Sequence, residues 1–261
     1  MSASITKHNG DALNKLAALE KEIETSAKIQ ASLLPGNHLN SKHVLLYSYI
    51  KPAAKVSGDF YDFFWLDKYR LAIVIADVSG KNISASLLAS MTKGLYRACA
   101  RIYTDPLIAI SKVNDCFTET NRSVMFVTSI YGILNIQSGT FEYINAGHLP
   151  IVLINDGQTK FSNNTIIDVA LGVDGKASFT KNQIAFNDLD KILLYTDGVT
   201  EAMNARNDEF GEERLLRVCS SKQALSPKDL TKQVALDIRD FVGKAAQSDD
   251  ITIMCLQYRK G

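Results

Sequence analysis

No two cysteines in this sequence are spaced to share a metal or to frame a small fold. Cys99, Cys116, Cys219 and Cys255 are scattered, with no C-x-x-C among them. That excludes a zinc knuckle and a disulfide framework, and makes a reducing cytoplasm the expected compartment. Long apolar runs are missing too: none approaches the ~18 residues a membrane span requires, and residues 71–76 are typical of the longest. Residues 1–11 lack the apolar stretch of a signal peptide. Nor does one sign of charge dominate. Lys and Arg total 29 against 28 Asp and Glu, a net charge of +1. Neither a nucleic-acid-binding surface nor a polybasic membrane contact is expected from that balance. Internal repeats and low-complexity linkers are absent as well. What is present is a globular composition, 46% hydrophobic and 22% charged over 261 residues. Such a chain makes one large domain, or a modest domain with an appendage.

Residues 11–34 contain no proline or glycine and read as one helix. Ala12, Leu16, Leu19, Ile23, Ser26, Gln30 and Leu33 alternate at four- and three-residue steps, a heptad-like stripe that turns polar in its middle. Pro35-Gly36 ends it. One short stripe suits equally an amphipathic helix on its own domain and a helix that meets a partner. Residues 1–35 are therefore set apart as a regulatory or linker helix, and 36–261 as the main domain. In that domain, strands are predicted at 44–50, 60–66, 71–76, 125–136, 140–145, 151–154, 191–196 and 251–257. Helices are predicted at 83–102, 106–120, 212–220 and 227–242. Asp67-Lys68, Ser138-Gly139, residues 147–150 and Asp156-Gly157 read as turns between neighbouring strands. The expected class is α+β, a layered sandwich of largely antiparallel sheets with helices outside. Residues 155–182, polar and turn-rich, are expected to be a mobile insertion.

Chemistry enters where aspartates meet strand ends. Gly58-Asp59 opens one strand and Ala76-Asp77-Val78-Ser79-Gly80 closes the next. A hairpin turning at Asp67-Lys68 pairs residues whose numbers sum to about 135 or 136, which sets Asp59 opposite Asp77. Like charges facing each other across a sheet are destabilising unless something positive lies between them. In the C-terminal half Asp197 ends one strand and Asp249-Asp250 opens another. Antiparallel pairing would bring those ends to one edge, so that up to five carboxylates gather at a single mouth. Each aspartate alone is ordinary turn chemistry; together they read as a metal centre. Oxygen ligands without a His or Cys pattern favour Mg²⁺ or Mn²⁺ over zinc. Several short carboxylates can hold two ions about 3.5–4 Å apart, which suits hydrolysis of a phosphomonoester by an activated water.

Seven stretches carry a resemblance. They are A-K-I-Q-A-S-L-L-P (27–35), S-G-D-F-Y-D (57–62), A-D-V-S-G-K (76–81), N-A-G-H-L-P (145–150), Y-T-D-G-V-T-E-A (195–202), F-G-E-E-R-L (210–215) and Q-S-D-D-I-T (247–252). In this order the chain resembles the SpoIIE-type branch of the metal-dependent protein phosphatases, the group that includes protein phosphatase 2C. The resemblance implies an αββα four-layer sandwich over 36–261, with a two-metal site at one end. It implies Asp59 and Asp77 as ligands shared around two Mn²⁺ or Mg²⁺ ions, with the Val78 carbonyl, Asp197 and Asp249 completing the set. Asp250 falls where relatives carry a polar residue behind the ligands. The implied activity is hydrolysis of phosphoserine or phosphothreonine in a protein. The implied substrate is an anti-sigma-factor antagonist in a bacterial partner-switching pathway. The N-terminal helix would join a dimer mate or an upstream sensor. Ser57 stands where a first glycine is common, and Asn82 replaces the glycine of the usual S-G-K-G run. Neither change removes a carboxylate.

Two competing motifs are set aside. Cys116 and Arg122 satisfy a C-x5-R spacing, but the loop lacks glycine, carries Glu119, and continues a helical pattern with Val113 and Phe117. Ser79-Gly80-Lys81 resembles the end of a phosphate-binding loop, yet Ile75 stands where its first glycine belongs. His148 reads as a turn histidine that satisfies backbone groups, with protonation of a leaving group as the alternative. The reading that competes with an enzyme is a catalytically silent regulatory module of the same fold, and the full set of aspartates argues against it.

Overall fold

The computed structural model describes residues 2–121, 124–155, 157–162 and 168–261, with residues 2–12 as backbone alone. In chain order the elements are α1 (Ser2–Leu33), β1 (His38–Asn40), β2 (Val44–Lys51), β3 (Asp59–Trp65), β4 (Arg70–Val78), α2 (Ile83–Ile102) and α3 (Pro106–Thr120). There follow β5 (Val127–Asn135), β6 (Thr140–Ala146), β7 (Val152–Asn155), β8 (Gln158–Phe161) and β9 (Asn182–Ala185). The chain closes with β10 (Lys191–Tyr195), α4 (Asp197–Thr200), α5 (Gly211–Ser221), α6 (Pro227–Val242) and β11 (Ile251–Tyr258).

The strands make a five-stranded sheet, β3-β4-β5-β6-β9, and a six-stranded sheet, β1-β2-β11-β10-β7-β8. Every pairing within them is antiparallel. Side-chain alternation explains why they stack. On β4, Leu71, Ile73 and Ile75 face the core between the sheets, while Ala72, Val74 and Ala76 face the core under α2 and α3. On β10, Ile192 and Leu194 face the inter-sheet core, while Leu193 and Tyr195 face the core under α5 and α6. Strands buried on both faces read as unbroken apolar runs, which is why these were legible. Four layers result, as expected: two helices, two sheets, two helices. Helix starts are fixed locally. The Asn82 side chain accepts from the Ala85 N–H, Asp105 caps α3 before Pro106, and Ser226 caps α6 before Pro227.

Three expectations change. Residues 147–150 are not a hairpin turn, because they carry the chain from β6 in one sheet to β7 in the other. Gly147 takes φ +70° there, and a Cβ on it would sit 3.0 Å from the Ala170 nitrogen. The described parts of 155–182 are tied down and not a free insertion. Val127 pairs with Leu171, Ala146 with Asp168, and β8 with β7. Residues 156 and 163–167 lie outside the described residues, as do Arg122 and Ser123 of the C-x5-R spacing. Helix α1 runs back through Gly10 to Ser2. Strands β1, β8 and β9 escaped the sequence reading because each is short and half exposed, so no apolar run marks it. Among the described residues no helix is long and apolar enough to cross a membrane.

Candidate metal centre

The register of β3 against β4 places Asp59 directly opposite Asp77. On the other sheet, β10 ends at Tyr195 opposite Ile253 of β11, so Asp197 and Asp249 lie at the same end. The stacked sheets bring both ends together. Asp77, Val78, Asp197 and Asp249 line one cavity of about 550 Å³, with Lys81, Phe126, Thr128, His148 and Glu201 around it. Asp59 sits behind Asp77, only 3% exposed, and also borders a hollow beneath α1. Asp250 is buried and turned away. Its Oδ1 accepts from the Ala53 N–H at 2.7 Å, and its Oδ2 from the Ser57 hydroxyl and Gly58 N–H at 2.8 Å each. It shapes the turn that delivers Asp59. Gly198 is required where α4 leaves Asp197, since a Cβ there would lie 1.9 Å from the Asp250 carbonyl oxygen. Val78 lines the cavity, and its carbonyl oxygen would lie 3.0 Å from a Cβ on Gly58.

The electrostatics are those of anions forced together. Burial, then the neighbouring Asp77, raises the Asp59 carboxyl well above the ordinary range. Burial and then Asp197 and Asp249 raise Asp77 to about 7, and Asp59 hydrogen-bonds it. Burial and then Asp249 raise Asp197 to about 6. Among the described residues no three His, Cys, Asp or Glu side chains are yet gathered tightly enough to ligate one ion. The reason is visible, because the carboxylates are turned onto protein partners. Asp59 Oδ2 accepts from the Thr196 and Thr252 hydroxyls at 2.7 and 2.6 Å. Asp249 Oδ1 accepts from the Asp250 N–H at 2.9 Å, and its Oδ2 pairs with the Lys81 ammonium at 2.7 Å. Crowded oxygen donors that resist ionisation side by side fit hard divalent cations, which remove that cost.

A stability prediction follows from these shifts. The folded carboxyls bind protons more tightly than the unfolded ones. The cluster's favourable contribution is therefore full below about pH 4 and is lost as pH rises through about 6 to 7. In a chelator, the melting temperature should fall between about pH 5 and pH 8, and Mn²⁺ should restore more of it at the higher pH. Scanning fluorimetry over that range checks this; a flat chelator profile would refute the crowding.

Sequence reading missed several residues. Gln30 of α1 clamps Ser57: its Oε1 accepts from the Ser57 N–H at 2.9 Å, and its Nε2 donates to the Ser57 carbonyl at 2.6 Å. The Ser57 hydroxyl in turn accepts from the Asp59 N–H at 3.0 Å. The signal was Gln30 itself, a polar interruption in an apolar stripe. Gln30→Ala should weaken Mn²⁺ binding about 10-fold in calorimetry while costing only about 1 kcal/mol of stability, the loss of a half-buried amide clamp. Thr252 was likewise legible as a polar residue near the start of the apolar strand β11, and Thr196 as the polar residue that follows the apolar run of β10. His148 behaves as a structural histidine. Its Nδ1 meets the Thr128 hydroxyl at 2.8 Å and its Nε2 the Tyr195 carbonyl at 3.1 Å, so Nε2 carries the proton. Burial pushes it down to about 4, neutral at pH 7.

The family model described as Stage II sporulation protein E (SpoIIE) matches residues 67–259. Protein IcfG of Synechocystis sp. is 28% identical over 275 residues, covering 94% of this chain and 42% of that protein. Phosphoserine phosphatase RsbU of Bacillus subtilis is 28% identical over 243 residues, covering 92% of this chain and 70% of that protein. The chain thus spans under half of the first relative's length. Among solved structures, the SiaA-PP2C domain of Pseudomonas aeruginosa superposes with a TM-score of 0.80 at 16% identity, covering 95% of this chain and 99% of that one. Likeness at that identity speaks to the fold.

Proposed function

Because this chain belongs to the family described as Stage II sporulation protein E (SpoIIE), we propose that it is a metal-dependent protein-serine/threonine phosphatase. The observation that carries the reading is the convergence of Asp77, Asp197 and Asp249 on one cavity, with Asp59 buried behind Asp77. Asp59, Asp77, Asp197, Asp249 and the Val78 carbonyl would hold two Mn²⁺ or Mg²⁺ ions. Bound there, such ions supply an acidified water and a positive field for a phosphate ester. The chain's own part is positional. The Asp59–Asp77 register fixes where the shared ligands stand, and Asp250 and Gln30 hold the 57–59 turn from two sides. The Thr196 and Thr252 hydroxyls orient Asp59.

The expected substrate is an anti-sigma-factor antagonist in the cytoplasm, and the naming of RsbU as a phosphoserine phosphatase supports phosphoserine as the group removed. Residues 1–35 would be the regulatory or linker helix. Leu13, Leu16, Leu19, Ile29 and Leu33 of α1 are exposed in the single chain, which is compatible with a dimer mate or a sensor there. Phosphate release from a phosphoserine protein, with and without Mn²⁺, tests the reading. Metal-independent release, or none with Mn²⁺ bound, would overturn it.

A further inference from the structure

Lys81 has no part in the reading above, yet it touches the site more closely than any other basic residue described. Its Nζ lies 2.7 Å from Asp249 Oδ2 and donates to the Ser248 carbonyl at 3.0 Å. Its side chain is 61% exposed and that of Asp249 22%, so the pair sits at the mouth and not in the core. The other partners of the four carboxylates are hydroxyls, backbone N–H groups or another carboxyl. Among the described residues Lys81 brings the one positive charge in direct contact with them.

We propose that Lys81 is the built-in counter-ion of Asp249. Its ammonium holds the place of positive charge at that carboxylate until a divalent cation takes it. It then remains at the cavity mouth, tethered to Ser248, where it meets the substrate phosphate. The inference rests on the metal-centre reading. Its physics is competition. An ammonium 2.7 Å from Asp249 Oδ2 and a divalent ion drawn to the same carboxylate repel each other, so each weakens the hold of the other. The exchange is feasible because the pair is open to water, where ion pairs of this kind are weak. The lysine stem is flexible, and the Ser248 carbonyl gives the displaced ammonium a resting contact on the same rim. Gly80, at φ +99°, lets the preceding turn project Lys81 over the mouth.

Isothermal titration of the metal-free full chain with Mn²⁺ tests this in wild type, Lys81→Met and Lys81→Arg. Lys81→Met should bind Mn²⁺ about 10-fold more tightly at the weaker site, having lost the competing charge. Lys81→Arg should stay within about threefold of wild type. In the same proteins, inhibition of ester hydrolysis by inorganic phosphate should weaken about 10-fold in Lys81→Met, with kcat changed less than KM. Equal or weaker Mn²⁺ affinity in Lys81→Met would overturn the proposal, as would an unchanged phosphate inhibition constant. Wild type that binds no Mn²⁺ would remove both this inference and the metal centre. Tightened Mn²⁺ binding and weakened phosphate inhibition, with no release from any phosphoserine protein, would leave the counter-ion role standing and sink only the protein-phosphatase reading.

Discussion

Asp77→Asn is expected to lower kcat by several orders of magnitude on any phosphoserine substrate, and to do so in a protein that folds better than wild type without metal. The two effects share one cause. Asp77 faces Asp59 across the hairpin and Asp197 and Asp249 across the cavity, and its carboxyl is raised to about 7 by burial and those neighbours. A neutral amide relieves that repulsion, so the chelator-treated variant should melt higher than wild type at pH 8 and show a flatter pH profile. The same amide removes the charge proposed to lie between both metals, and with it the field that acidifies water and screens the phosphate. The measurement is kcat at saturating Mn²⁺ alongside melting temperature in chelator. A loss under about 10-fold would contradict the site, and a lower melting temperature would contradict the crowding. Stability given up at charged positions for the sake of binding is the pattern expected of a site, not of a fold.

Asp59 and Asp77 could be placed opposite each other from sequence because their geometry is that of one hairpin. The tight turn after Leu66 narrows the register of β3 on β4 to two neighbouring choices, and the loop at residues 67–69, closed by the Leu66 N–H on the Arg70 carbonyl, selects the one that sets Asp59 opposite Asp77. Asp197 and Asp249 meet because β10 and β11 are antiparallel neighbours, a pairing that no local turn dictates. What counting could not supply is which sheet each strand joins. Residues 147–150 resemble a hairpin turn in composition, yet the chain there crosses between sheets, because β7 finds its partner in β10 and not in β6. Nor could it foresee that Gln30, 27 residues before Ser57, reaches that residue's backbone. Long-range side-chain contacts leave only a faint mark, here one polar residue in an apolar stripe. Asp62 belongs to the same group. It is fully buried and paired with Lys93 at 2.8 Å and Arg97 at 2.5 Å, joining β3 to α2. In sequence it was merely the last letter of a motif.

A folded phosphoserine-bearing antagonist domain should show kcat/KM at least about 100-fold above a short peptide carrying the same phosphosite. The cavity opens at the end of the two sheets, and no sugar- or nucleotide-binding motif closes around a small ligand there. Its rim offers surface for a protein. Phe126 lines it and is 41% exposed, and Ile83, which opens α2 two residues after Lys81, is 48% exposed. Glu201 also lines the cavity, and the polar turns of 202–209 follow it in the chain. Specificity through such a rim would draw on contacts away from the phosphate, binding energy used for positioning at the reacting centre. A 100-fold preference corresponds to about 2.7 kcal/mol, a modest yield from a protein interface after the costs of association. The comparison needs three substrates at equal Mn²⁺: the phosphorylated domain, its peptide, and a chromogenic ester. Equal rates on the domain and the peptide would sink recognition by surface and leave the metal chemistry intact. A domain preference abolished by Phe126→Asp, with ester turnover unchanged, would place the recognition on this rim.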